Sequence, residues 1–146
     1  MEGIAEQFRG LRQAMGKRID EIAIEAGVEI ANYCDLESID DEFEDAISIE
    51  DVEKVCKALG TSARELCRKM NGTKFDGAKR ILPDDLAGAI RLHIVSAGLS
   101  LPEFEEAVGW ELEAFLANPT RYWHGNIRWL KDICAALGLD WIDALP

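Results

Sequence analysis

Carboxylates are the residues best placed to do chemistry in this 146-residue chain, and their distribution is uneven. Fourteen of the 28 fall between Arg18 and Lys54, with no lysine or arginine among them. Paired carboxylates can serve as general acid and base, and clustered ones can hold a hard cation. The densest run, DDEFEDAISIED from Asp40, lacks the glycine and the ligand spacing of a calcium loop. No nucleophile, base and orienting group can be placed together, and no glycine loop is built to cradle phosphate, so the chain is expected not to be an enzyme. What the carboxylates do supply is a field. Sixteen basic against 28 acidic residues leave a net charge of −12, which repels nucleic acid and attracts basic partners.

The softer ligands are scattered. Cys34, Cys56, Cys67 and Cys134 form no C-x-x-C pair and read as buried or partly buried thiols in a reducing compartment. His93 and His124 each stand alone. Neither a metal nor a cofactor is expected. The opening MEGIAEQ has no basic or apolar leader character, and no run approaches the roughly 18 apolar residues of a membrane span. The expectation is a soluble, cytoplasmic protein with no membrane partner.

Positioning these residues falls to a repeat. IEDVEKVCKALG from Ile49 matches IRWLKDICAALG from Ile127 at an offset of 78, with Cys56 on Cys134 and Gly60 on Gly138. Upstream the offset is 82, pairing Ile22 with Phe104, Gly27 with Gly109 and Tyr33 with Phe115, so one connecting loop is four residues shorter in the second copy. Each copy has the apolar spacing of about five short helices. Ser48 is placed to cap a helix from Ile49, and Ser62 with Glu65, like Ser100 with Glu103, forms a capping box. No segment alternates as a strand would. The fold class is therefore all-α in two copies, 1–70 and 86–146. A linker, 71–85, carries Phe75, Ile81 and Leu82 to pack on a domain and Asp84 or Asp85 to cap the next helix.

A helix, a glycine turn, a second helix, then a helix ending Ala-Leu-Gly before a short last one resembles the lambda-repressor-like (Xre/Cro/CI) helix-turn-helix family, in tandem. The residues carrying it are Leu11-Arg12, Ile22-Ala23, Gly27-Val28, Leu36-Glu37 and Ala58-Leu59-Gly60. In the second copy they are Ser100, Phe104, Gly109-Trp110, Phe115 and Ala136-Leu137-Gly138. The resemblance implies a binding scaffold whose third helix reads the DNA major groove, here Glu29 to Glu37 and Glu111 to Asn118. It also implies a Ser-Gln pair opening the second helix, where this chain has Arg18-Ile19 and Ser100-Leu101. If DNA is contacted, the residue types suited to it are Asn32, Ser100, Asn118 and Arg121.

The charge points elsewhere. Glu29, Asp35, Glu37, Asp40, Asp41, Glu42, Glu44 and Asp45 are expected to form one anionic face, because phosphate neutralisation by Lys and Arg supplies much of the affinity for DNA and none is present. In the second copy the corresponding positions turn aromatic and basic. Arg121, Tyr122, Trp123, Arg128 and Trp129 read as an interface patch of hot-spot composition. Trp110 and Trp141 read as packing residues. The resulting expectation is a regulatory protein that binds a basic protein surface, of antitoxin, immunity or anti-regulator type, with a DNA-binding Xre-type transcription regulator as the alternative. A homodimer is compatible with either.

Overall fold

The computed structural model describes residues 3–71 and 79–146, apart from the side chain of Trp123; Phe75 and the turn at Asp76-Gly77 lie outside the described residues. The first half runs α1 (Ile4–Ala14), α2 (Ile19–Ala26), α3 (Ile30–Leu36), α4 (Glu42–Asp45), α5 (Ile49–Ala58) and α6 (Ala63–Met70). The second runs α7 (Pro83–Ala97), α8 (Leu101–Val108), α9 (Glu113–Ala117), a 3-10 helix Pro119–His124, α10 (Ile127–Leu137) and a 3-10 helix Trp141–Ala144. Among the described residues there is no strand, only an isolated antiparallel bridge between Ser48 and Asn126.

The two halves stop and start at corresponding places. All the positive-φ residues among those described are glycines, and they fall into three offset pairs: Gly16 with Gly98, Gly27 with Gly109, and Gly60 with Gly138. Each lies at a helix end, where the left-handed conformation that closes a helix is strained for any residue with a Cβ. The caps pair as well. Ser48 and Asn126 accept from the backbone of Asp51 and Trp129, and Ser62 and Asp140 from Glu65 and Ile142. At the second helix of each half, Glu21 and Glu103 accept the N–H of Arg18 and Ser100.

Among the described residues each half has six helical segments, one more than the periodicity predicts. The addition is α4, which the sequence places in a loop. Its Phe43 is buried against Phe8, ring centroids 5.9 Å apart, and the cost of leaving that ring in water draws the loop into a helical turn. The shortening of the second copy falls next to it, since five residues separate α3 from α4 and one, Asn118, separates α9 from the next 3-10 helix. The start of α7 also differs. Leu82 is the cap residue, and Asp85 acts from within the first turn by accepting the Leu82 N–H. Ile81 packs on the core and donates its N–H to the Asp143 carbonyl, whereas Leu82 is exposed.

The buried side chains of both halves join in one hydrophobic cluster. The contacts that unite them are reciprocal. α4 packs on α10 while its counterpart, Pro119–His124, packs on α5, and α6 packs on its own counterpart Trp141–Ala144. The bridge between Ser48 and Asn126 joins corresponding residues. This is the self-complementary pattern of an isologous dimer, realised within one chain.

Candidate functional site

The α3 region of the first half is built outward from a buried ion pair. Tyr33 and Leu36 face the core, and the turn carries Glu37 inward, where it is 3% exposed. Arg12 reaches from α1 to grip both Glu37 oxygens, at 2.6 and 3.0 Å, and the Tyr33 hydroxyl donates to the same carboxylate at 2.6 Å. Arg9 donates to the Glu37 carbonyl. The Glu37 hydrogen bond holds the Arg12 guanidinium above its ordinary pKa, while burial and then the Glu37 contact push the Tyr33 phenol far up. Glu37 is therefore a structural acid. Placing it on the anionic face is corrected by the α1 arginines, which make its burial tolerable.

The remaining acids of that run divide. Glu29, Asp35 and Asp41 are exposed, and Glu42 is partly so. Asp40 is exposed but caps α1, accepting the Ala5 N–H at 3.0 Å, and its carboxylate lies so close over Gly3 that a Cβ there, 2.3 Å away, would push it aside. Glu44 and Asp45 leave the face for the seam between the halves. Arg128 lies 2.8 Å from Asp45 and 2.9 Å from Glu44, and Lys131 also bonds Glu44 while its ammonium sits 5.4 Å from the centre of the Trp141 ring. The hydrogen bond from Arg128 lowers the Asp45 pKa and raises that of Arg128. One contiguous eight-carboxylate surface does not form, since one acid is buried and two are neutralised across the seam.

The aromatic and basic patch of the second half is likewise corrected. Tyr122 is 4% exposed and Trp129 7%, and Trp129 meets Phe115 edge-on at 5.1 Å. These rings are core because Trp129 packs on Phe115 and the 3-10 helix that carries Tyr122 packs against α5 and α7. Arg128 is spent on Glu44 and Asp45, Arg121 remains exposed, and the Trp123 side chain lies outside the described residues. Trp110 donates its indole N–H to Asp132 at 2.9 Å.

Of the residues suited to DNA, Asn32 is exposed on α3 and Arg121 on the second half. Ser100 spends its hydroxyl capping α8, and Asn118 accepts from the Thr120 hydroxyl. The structure places Asn32 on one half and the other three on the other. The cations near α3 are engaged: Lys17 with Glu25 at 2.6 Å, Arg18 with Asp20 at 3.0 Å, Arg9 and Arg12 with Glu37. Besides acids and Asn32, α3 and the end of α2 show apolar side chains to solvent. Ile24 is 72% exposed, and Ile30 and Ile39 about half.

Sequence reasoning misses Arg64. It sits in the first turn of α6, where an arginine ordinarily faces water, yet it is 2% exposed. Its guanidinium donates to the carbonyls of Lys79, Asp143 and Leu145 at 2.7–2.8 Å, so it ties α6 to the chain's last turn and to the segment ahead of α7. Burial, with Arg80 nearby, lowers its pKa. Arg68 completes the clamp on Asp140 and Asp143. The counterpart of Arg64 is Ile142, so the repeat gives no hint of it.

Among the described residues no group of three or more His, Cys, Asp or Glu is arranged to hold a metal ion, and no helix is long and apolar enough to cross a membrane. No family model, curated protein or solved structure matches the chain.

Proposed function

We propose that the chain is a non-enzymatic binding protein made of two degenerate repressor-like helix-turn-helix units, and that it engages a protein partner with a basic surface. The observation that carries this reading is the outward side of α3. It presents Glu29, Asp35 and, beyond its end, Asp41, interleaved with Ile24, Ile30 and Ile39, while among the described residues the nearby cations Arg9, Arg12, Lys17 and Arg18 are committed to an acid or a carbonyl of the chain itself. A duplex meeting that face finds carboxylates opposite its phosphates. A basic protein surface with apolar side chains finds both charge and area, and electrostatic steering speeds its approach. A role as antitoxin, immunity protein or anti-regulator suits such a surface.

Two measurements decide between this and the DNA-binding alternative. Genomic duplex fragments should show no binding at physiological salt, and micromolar or tighter specific binding would establish the alternative. Association with a partner captured from the native host should slow as salt rises, and should slow further in the triple variant Glu29→Gln, Asp35→Asn, Asp41→Asn. A partner indifferent to both salt and the triple variant would remove this face from the proposal.

A further inference from the structure

The seam between the halves has two sides, and only one of them matches its charges across the gap. On the first, α10 directs Arg128 and Lys131 at Glu44 and Asp45. On the second, α5 meets the 3-10 helix Pro119–His124. There the counterparts of Arg128, Lys131 and Asp132 are Glu50, Glu53 and Lys54, an inversion of charge, while the counterparts of Glu44 and Asp45 are Tyr122 and Trp123 rather than cations. The facing helix does not answer what α5 brings. Between the two lies a cleft of about 460 Å³, lined by Glu50, Glu53, Lys54, Lys57, Thr120 and His124, a size within the range of small-molecule sites.

Two of the six groups satisfy each other, since Lys54 lies 3.6 Å from Glu50 and also reaches Asp51 at 3.9 Å. The others keep capacity. Glu53 stands one turn before Lys57, where the two would ordinarily pair, but it is turned toward α6 and accepts the Ala63 N–H with one oxygen at 3.1 Å. Its second oxygen has no hydrogen bond among the described residues, and burial raises its pKa, so this carboxylate lacks a close cation. Lys57 is left in turn without an ion pair among the described residues. Across the cleft, the Thr120 hydroxyl donates to Asn118 at 2.6 Å and can still accept, and His124 is exposed with a ring N–H to give.

The pairing of an unanswered acid with an unanswered base selects the ligand. A simple cation at Glu53 would be repelled by Lys57, and a simple anion at Lys57 by Glu53. A molecule carrying both charges meets neither repulsion, and side chains one turn apart, about 6 Å, can hold the two ends of one amino-acid head group. We infer that this cleft binds a small zwitterion of amino-acid type, its carboxylate on Lys57 and His124 and its ammonium on Glu53 and Thr120. The ammonium then gives Glu53 what Lys131 gives Glu44 on the other side of the seam. The site lies apart from the outward side of α3 and stands whether or not that face binds a partner.

Titration calorimetry of the full chain against the proteinogenic amino acids, one at a time, should find at least one with a Kd of about 1 mM or tighter. Its N-acetyl form, without the ammonium, and its amide, without the carboxylate, should each bind about tenfold more weakly or worse. Lys57→Gln and Glu53→Gln should each weaken the parent amino acid to a similar degree with an unchanged circular dichroism spectrum, since Lys57 is exposed and glutamine can still accept from Ala63. The α3 triple variant should bind it as the parent chain does. No heat with any amino acid up to about 10 mM overturns the inference. So does binding that survives Lys57→Gln, which places the ligand elsewhere, or binding in which the N-acetyl form or the amide equals the parent amino acid.

Discussion

The two halves of the chain share one sequence of helices and caps but treat charge in opposite ways. Where the first half has Glu44 and Asp45, the second has Tyr122 and Trp123, and where the first has Glu50 and Glu53, the second has Arg128 and Lys131. Across the seam, Glu44 and Asp45 meet Arg128 and Lys131. Two first halves brought together in the same way would set Glu44 and Asp45 against Glu50 and Glu53, two acids on each side and no cation among them. The difference teaches that part of the acidity is addressed to the other half of the same chain. Selecting the unlike pairing over the like one by charge is the device seen where related surfaces must choose partners.

Because the halves share one core, the largest effect should come from the side chain that ties them together. Arg64→Ala removes charge-assisted bonds to three carbonyls, those of Asp143 and Leu145 buried, and is expected to cost about 4 kcal/mol or more, read as a lower urea midpoint; Arg64→Lys, lacking the planar fork, should recover only part of it. If Arg64→Ala unfolds like the parent, the shared apolar core with the Arg68, Arg128 and Lys131 ion pairs is enough to hold the halves together.

Within the first half, Glu37→Ala leaves Arg12 covered and unpaired and should cost roughly 3 kcal/mol, whereas Glu29→Ala and Asp35→Ala, on the same helix region, should change stability little. Equal costs for all three would return Glu37 to the surface face. Tyr33→Phe, which deletes one bond to the same carboxylate, should cost about 1 kcal/mol.

A smaller loss is expected from reversing the second half's cations. Arg128→Glu with Lys131→Glu should lower the melting midpoint less than Glu37→Ala does, less so in high salt, and adding Glu44→Lys with Asp45→Arg should restore it. The Arg128 hydrogen bond depresses the Asp45 pKa, so this contact contributes fully above the ordinary carboxylate range and is lost as pH falls through the depressed value. The difference between parent and double variant should therefore shrink in acid. A difference that grows there would contradict the pairing.

The smallest effect is chemical. Cys34 on α3 is exposed, while Cys56, Cys67 and Cys134 are buried. Burial raises the Cys56 pKa well above the ordinary value and takes Cys67 and Cys134 to about 12. A thiol reagent at neutral pH should modify Cys34 alone, and all four in denaturant. Fast modification of Cys134 in the native protein would show that the second half opens more readily than the first.

Much of this was determined by the sequence alone, wherever the cause is local. Helix starts at Ile49, Leu101 and Ile127, stops at Gly27, Gly60, Gly109 and Gly138, the all-helical class and the paired offsets follow from caps, left-handed glycines and apolar period, which act within a few residues. The anionic character of α3 and its loop was equally legible, because Glu29, Asp35 and Asp41 stay in water as composition implies. Tertiary structure alone decided the fate of the others. Glu37 goes inward because Arg12, 25 residues away, can follow it, and Glu44 and Asp45 are neutralised by cations more than 80 residues away. Trp129 and Tyr122 become core because Phe115 meets the one and α5 and α7 close on the 3-10 helix of the other, and Arg64 is buried because backbone carbonyls at the far end of the chain converge on it. A charge or a ring carries no mark in sequence of whether its partner is water or a distant side chain, since burial is a property of how remote segments meet.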